Sequence, residues 1–197
     1  NVGVKLYEGG SVSLTKQAPD LTAVAVGLGW DARTTSGYEY DLDASALVCG
    51  SNGRVLSDSH FVFFNNLESP EGSVVHTGDE LSGGAAEDED EDEETIKVDL
   101  TLVPRQASRI VFPVSIHEAD RRGQNFGQIS NAYIRVVDQA TDRELARYNL
   151  TEDASNETAI VFGELCRYND EWQFRAVGQG CATGLHGIVV DHGVNVA

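Results

Sequence analysis

"ELARYNLTEDASNETAIVFGELCRYNDEWQFRAV", Glu144 to Val177, is the stretch whose reading decides the fold class. Three short runs within it, Glu144–Leu150, Ile160–Tyr168 and Trp172–Val177, alternate apolar with polar residues or collect β-branched and aromatic side chains. That is the pattern of strands with a buried face. Asn169-Asp170 between the last two is turn chemistry. Working outward, similar runs occur at Ser11–Leu14, Ala23–Leu28, Leu42–Val48, Phe61–Phe64, Ser73–His76, Thr95–Leu102, Ile110–Ile116 and Ala132–Val137. Asn52-Gly53, Pro70-Glu71-Gly72 and Thr141-Asp142 mark further turns. Two stretches read as helix: His117–Arg122, stopped by Gly123, and Leu185–His192, stopped by Gly193. So many short strands predict a mainly β fold, a compact β-sandwich with short helices near 117–122 and 185–192. No linker or repeat interrupts the pattern, so a single domain over 1–197 is expected.

The 197 residues, 41% of them hydrophobic, are enough to bury one sizeable core. The formal net charge is −18, and the chain stays acidic even without the eight consecutive carboxylates from Glu87 to Glu94. Such a field repels phosphate backbones and anionic lipid surfaces, which excludes nucleic acid and membrane as direct partners, and it attracts cations. No run of about 18 apolar residues is present, so no membrane insertion is expected. Asn1-Val2-Gly3-Val4-Lys5 shows no apolar leader. Cys49, Cys166 and Cys181 are odd in number and widely spaced, which suits a reduced, cytoplasmic protein.

Enzyme signatures are missing. "HEADR" from His117 carries Arg121 where a zinc-binding HExxH needs its second histidine. "GLGWDA" from Gly27 has Ala32 in place of the third glycine of a dinucleotide fingerprint, and no Gly-Lys pair exists for a phosphate loop. There is no Gly-x-Ser-x-Gly elbow, and His60, His76, His117, His186 and His192 lack metal-ligand spacing. The expectation is a protein that is not an enzyme.

Hard-cation chemistry is better represented. In "YEYDLDAS", Asp41 and Asp43 lie two apart, so on a strand they share one face. They either point to solvent or hold a cation between them. Asn65 and Asn66 follow a strand and offer carbonyl oxygens, although Asn is also ordinary turn material. Asp79 and Glu80 lie in a turn made permissive by Gly78 and Gly83. The Glu87–Glu94 run is either a solvated, self-repelling loop or a source of ligands. No EF-hand is present, since Ala46 and Asn52 occupy the glycine and glutamate positions counted from Asp41. A long acidic loop suits calcium, with its high and variable coordination, better than magnesium.

At these residues the chain resembles the tellurium-resistance TerD family of bacterial stress proteins. The resemblance runs through "LTAVAVGLGWD", "YDLDASA", "SDSHFVFFNNLESPEGSVVHTGDEL", "IKVDL", "SIHEADRRGQNFGQISNAYIRVVD", "ELARYNLTEDASNETAIVFGEL" and "EWQFRAVGQGCATGLHGIVVDHGVNV". It implies a β-sandwich binding calcium at two neighbouring sites and a role in resistance to tellurite and other stresses. It implies no catalytic step, and it points to other Ter-family or membrane-associated stress proteins as partners. The implied metal ligands are Asp41, Asp43, Asn65, Asn66, Asp79, Glu80, Asp90, Asp92, Glu93 and Glu94. Gly78, Asp79, Leu81 and Gly83 match the start of the family's acidic loop, and Asp92, Glu93 and Glu94 match its end. Glu80 replaces the family's Asn, Ser82 its Thr, and Cys181 stands where an aromatic is common. The interleaved glycines are lost and the loop is longer, so Glu87 to Glu91 read as a mobile expansion between two anchored ends.

Two further readings compete with a calcium-dependent stress protein. One is a metal-independent acidic scaffold whose loop binds basic partner segments, an attraction that salt weakens. The other is an enzyme acting on tellurite, which needs reactive thiols.

Overall fold

The computed structural model describes residues 3–31, 42–77, 94–116, 119, 123, 125–126, 130–150, 157–181 and 183–195. Its strands begin as β1 (Val4–Leu6), β2 (Ser11–Ser13), β3 (Ala23–Asp31), β4 (Leu42–Ala44), β5 (Ala46–Gly50), β6 (Phe61–Val62) and β7 (Val74–His76). They continue as β8 (Glu94–Asp99), β9 (Ala107–Ile116), β10 (Ser130–Asp138), β11 (Glu144–Asn149), β12 (Ala159–Tyr168) and β13 (Glu171–Cys181). Helices α1 (Leu14–Gln17) and α2 (Gly184–Asp191) and a 3-10 turn at Asp58–His60 accompany them.

The strands form two sheets. The first runs β1-β11-β10-β3-β8-β7 and the second β2-β13-β12-β9-β5-β6, with β4 also on β9. Every pairing is antiparallel except β1 on β11. Val24, Val26, Leu28, Ile96, Val98, Ile134 and Val136 of the first sheet share one core with Ile110, Phe112, Val114, Phe162 and Phe174 of the second. Burying one such side chain contributes about 1.5–3 kcal/mol. The second sheet is covered on its other face too. There Leu47, Cys49 and Val111 pack with Ile188 and Val189 of α2. This double cover explains why β5 is buried at every position, without the alternation of a half-exposed strand.

Most expected strands are present, and the differences have local causes. Leu42–Val48, expected as one strand, divides at Ser45, which lies opposite Pro113. Proline has no N–H to give the ladder. Ser45 instead donates both its backbone N–H and its hydroxyl to the Pro113 carbonyl, at 3.0 and 3.2 Å. Leu14, expected in a strand, opens α1, because the Ser13 hydroxyl accepts from the Lys16 amide at 3.2 Å and caps a helix. The strand expected at Thr95–Leu102 stops at Asp99, whose carboxylate accepts from the Thr101 amide at 3.0 Å and turns the chain. Helix 185–192 is α2, with His192 as its cap and Gly193 beyond it at φ +83°. Of the helix expected at 117–122 only Ala119, helical and buried, lies within the described residues.

Register also locates the long connections. Leu28 pairs with Glu94, Asp31 with Ser130, Leu42 with Ile116 and Ala159 with Ser115. Residues 32–41, 78–93, 117–129 and 151–156 therefore all join strand ends at one end of the sandwich.

Candidate cation site

β8 begins at that end with Glu94, the last of the eight acids. Glu94 shares its parity with Ile96 and Val98, so its side chain is aimed between the sheets, and it is only 6% exposed. Its Oε2 accepts a hydrogen bond from the backbone amide of Ala44 in β4, on the other sheet. β4 is paired with β9 along one edge, and no described strand lies along the other. The carboxylate thus provides the acceptor for an amide at an open strand edge.

Asp43 precedes that amide. It sits half-buried between the inward-facing Leu42 and Ala44, opposite Ser115. The structure so brings Glu94 against the segment that carries Asp43, joining residues that are 50 apart in sequence. By the same alternation the Asp43 side chain lies on the face of β4 away from Leu42 and Ala44, so the link joins Glu94 to the backbone beside Asp43 and not to its carboxylate. Each carries hard oxygen donors of the kind that suits calcium.

Asn66 has a different local duty. Its side-chain amide donates to the Ser59 and Phe61 carbonyls at 3.0 and 2.8 Å, and its backbone exchanges two hydrogen bonds with Phe63, each 3.0 Å. Asn65 is exposed at the tip of this turn. Asp41, Asp79, Glu80, Asp90, Asp92 and Glu93 lie outside the described residues, as does the stretch Glu87–Glu91. Among the described residues no three His, Cys, Asp or Glu side chains gather as a metal cluster. Sequence reading did not anticipate the inward aim of Glu94, although the apolar parity of Ile96 and Val98 carried that signal.

The thiols have a clear chemical state. Cys49 and Cys166 both pair with Arg109, on either side of it, and both are buried. Burial pushes each thiol up to about 12, with Glu164 adding to the rise, against the lowering pull of Arg109. Thiols so protonated are poor nucleophiles at neutral pH.

Fold and site define a class: a two-sheet β-sandwich with carboxylates at the end from which its long connections leave. Residues 2–192 match the TerD domain, and the chain belongs to that family of tellurium-resistance and general stress proteins. It is 53% identical over 196 residues to the tellurium resistance protein TerD of Serratia marcescens, covering all of both chains. General stress protein 16U of Bacillus subtilis (strain 168) is 46% identical, with 98% of each chain covered. A crystal structure of a telluride resistance protein (TerD) homologue from Streptomyces coelicolor A3(2) superposes with a TM-score of 0.65. At 22% identity, over 86% of this chain and 95% of that one, it shares the fold. No helix among the described residues is long and apolar enough to cross a membrane.

Proposed function

We propose that the chain is a calcium-binding stress-response protein associated with tellurite resistance, acting through calcium-dependent structure and protein contacts and not through catalysis. The single observation that carries this reading is the buried Glu94 carboxylate, held by the Ala44 amide of β4, next in sequence to Asp43, at the acidic end of the sandwich. Asp43 and Glu94 would hold the ion together with acids near them in sequence, Asp41, Asp92 and Glu93, and with Asp79, Glu80 and Asp90 from the same connection. Bound calcium supplies the positive charge that offsets carboxylate repulsion there. Asn65 and Asn66 offer carbonyl oxygens from a turn already closed by its own hydrogen bonds. The names of the relatives support the stress and tellurite part of the reading.

Ions of this kind, two per chain, set the order of the acidic end and so a surface for other Ter-family or membrane-associated stress proteins in the cytoplasm. Calorimetric titration with calcium tests the proposal. Saturable heat at micromolar to millimolar calcium, lost in an Asp43→Asn, Glu94→Gln double variant that still folds, is the expected result. No heat, with melting indifferent to chelator, overturns it in favour of the metal-independent acidic scaffold. That scaffold predicts instead partner capture that fails steeply with salt.

A further inference from the structure

A second group of side chains lies at the other end of the sandwich. The 3-10 turn at Asp58–His60 leads into β6, and the Ser69–Ser73 turn leads into β7, where the Ser73 carbonyl meets the amide of Asp99 at the far end of β8 from Glu94. Across these two turns His60 Nε2 lies 2.8 Å from Glu71 Oε2, and His60 Nδ1 lies 2.7 Å from Ser57 Oγ. Glu71 is itself fixed, since its Oε1 accepts from the Ser73 hydroxyl at 2.6 Å. Ser73 in turn touches the buried Ser69 hydroxyl at 3.3 Å, and Ser69 Oγ accepts from the Val74 amide at 3.1 Å. Gly72, at φ +76°, lets the turn bring Glu71 back toward His60.

The protons of this chain of contacts can be assigned. Burial raises the Glu71 carboxyl, but hydrogen bonds from Ser73, its own backbone amide, His60 and Ser69 together hold it below its ordinary value, so at neutral pH it only accepts. His60 Nε2 must then carry a proton, and in the neutral ring Nδ1 is left as an acceptor. With the ring neutral, Ser57 donates to it. Ser57 stands at the N-cap of the turn, yet its side chain makes no capping bond; the hydroxyl is turned to the imidazole instead. The result is the order hydroxyl, imidazole, carboxylate, running from the part-buried Glu71, 24% exposed, through His60, 12% exposed, to an exposed serine. A nucleophile within hydrogen-bond reach of a base, with the base oriented by a third group, is the arrangement that activates serine.

We infer that Ser57 is an activated nucleophile that accepts acyl groups from reactive esters, with His60 as its general base and Glu71 as the positioning residue. In the step, Ser57 Oγ bonds to the carbonyl carbon while its proton passes to His60 Nδ1. The ester C–O bond then breaks, the alkoxide or phenolate leaves with the electron pair, and the His60 proton passes to it or to water. The product is O-acyl-Ser57, a modification of the protein that goes beyond the calcium reading and needs no metal.

Ser59, exposed in the same turn and with no imidazole on its hydroxyl among the described residues, is an internal reference. The full chain is treated with p-nitrophenyl acetate, and acetyl groups are placed by peptide mass spectrometry over time. Ser57 is expected to acetylate about a hundredfold or more faster than Ser59, the usual scale of general-base assistance. His60→Gly is expected to abolish that preference and added imidazole to restore it. Glu71→Gln is expected to slow Ser57 and leave Ser59 unchanged, a difference that a merely loosened fold does not produce. Equal acetylation of the two serines in the wild-type chain, which requires no variant to fold, overturns the inference. So does a Ser57 preference that survives His60→Gly.

Discussion

Glu94 of β8 accepts a hydrogen bond from the backbone amide of Ala44 in β4, so one carboxylate links the two sheets where the long connections leave. Truncating Glu94 to Ala leaves a buried N–H without this acceptor, and the penalty for such a group is about 1–3 kcal/mol. Glu94→Gln keeps an amide oxygen in place and should cost less. Urea unfolding of the two variants in chelator checks this. Equal midpoints for Glu94→Ala and the wild type would show that the link has no part in stability.

Calcium should stabilise the protein. If it binds the native state alone, a concentration a hundred times the dissociation constant adds about 2.7 kcal/mol. Asp43→Asn should reduce the calcium-dependent rise in melting temperature, whereas deletion of residues 87–91 should leave most of it. A scan with and without chelator reads the difference, and a rise that vanishes only in the deletion would move the ligands into the middle of the run.

Cys49 and Cys166 make stability fall at high pH. Once unfolded, each thiol loses its proton near the ordinary thiol value of 9.0, while in the fold burial holds the proton up to about 12. Between those values the native state binds more protons than the unfolded state, so stability is fully present below about pH 9 and declines as pH rises. The slope is about 1.4 kcal/mol per pH unit for each thiol. Denaturant midpoints from pH 8 to 11, compared with those of a Cys49→Ala, Cys166→Ala variant, measure it. Iodoacetamide at pH 8 should label both thiols only after unfolding.

Gly178 sits in β13 at φ +65°, where its ladder with β12 shifts register, and a Cβ there would collide with the Tyr148 hydroxyl. Gly178→Ala therefore combines backbone strain with overpacking. It is expected to destabilise by about 1–3 kcal/mol and to disturb the edge-to-face packing of Tyr148 on Phe162. Thermal melting and near-ultraviolet circular dichroism report the two effects separately.

Much of the fold was legible because strand patterns are local. The parity of Trp172, Phe174 and Ala176 announces a face of β13, and each of these residues is buried. β1 was not legible, because its three residues include the exposed Val4 and Lys5, and its place is decided by parallel pairing with β11. Of the candidate ligands, Asp43 and Glu94 were named as chemically apt, but nothing in their spacing announced that they would come to the same end of the sandwich. Ser57, His60 and Glu71 were passed over for a related reason: their relay joins two turns of different sheets, and it matches no spaced motif.

The sequence by itself determined the family, through a resemblance carried by long ordered blocks, and the mainly β class and the strong acidity, which depend on residue type and on period along the chain. Only the tertiary structure decided which polar groups meet. Pairing between distant strands and the stacking of two sheets set Glu94 against Ala44 and His60 against Glu71. Hydrogen bonds reach about 3 Å, so their partners are selected by register and sheet packing, which local pattern does not encode.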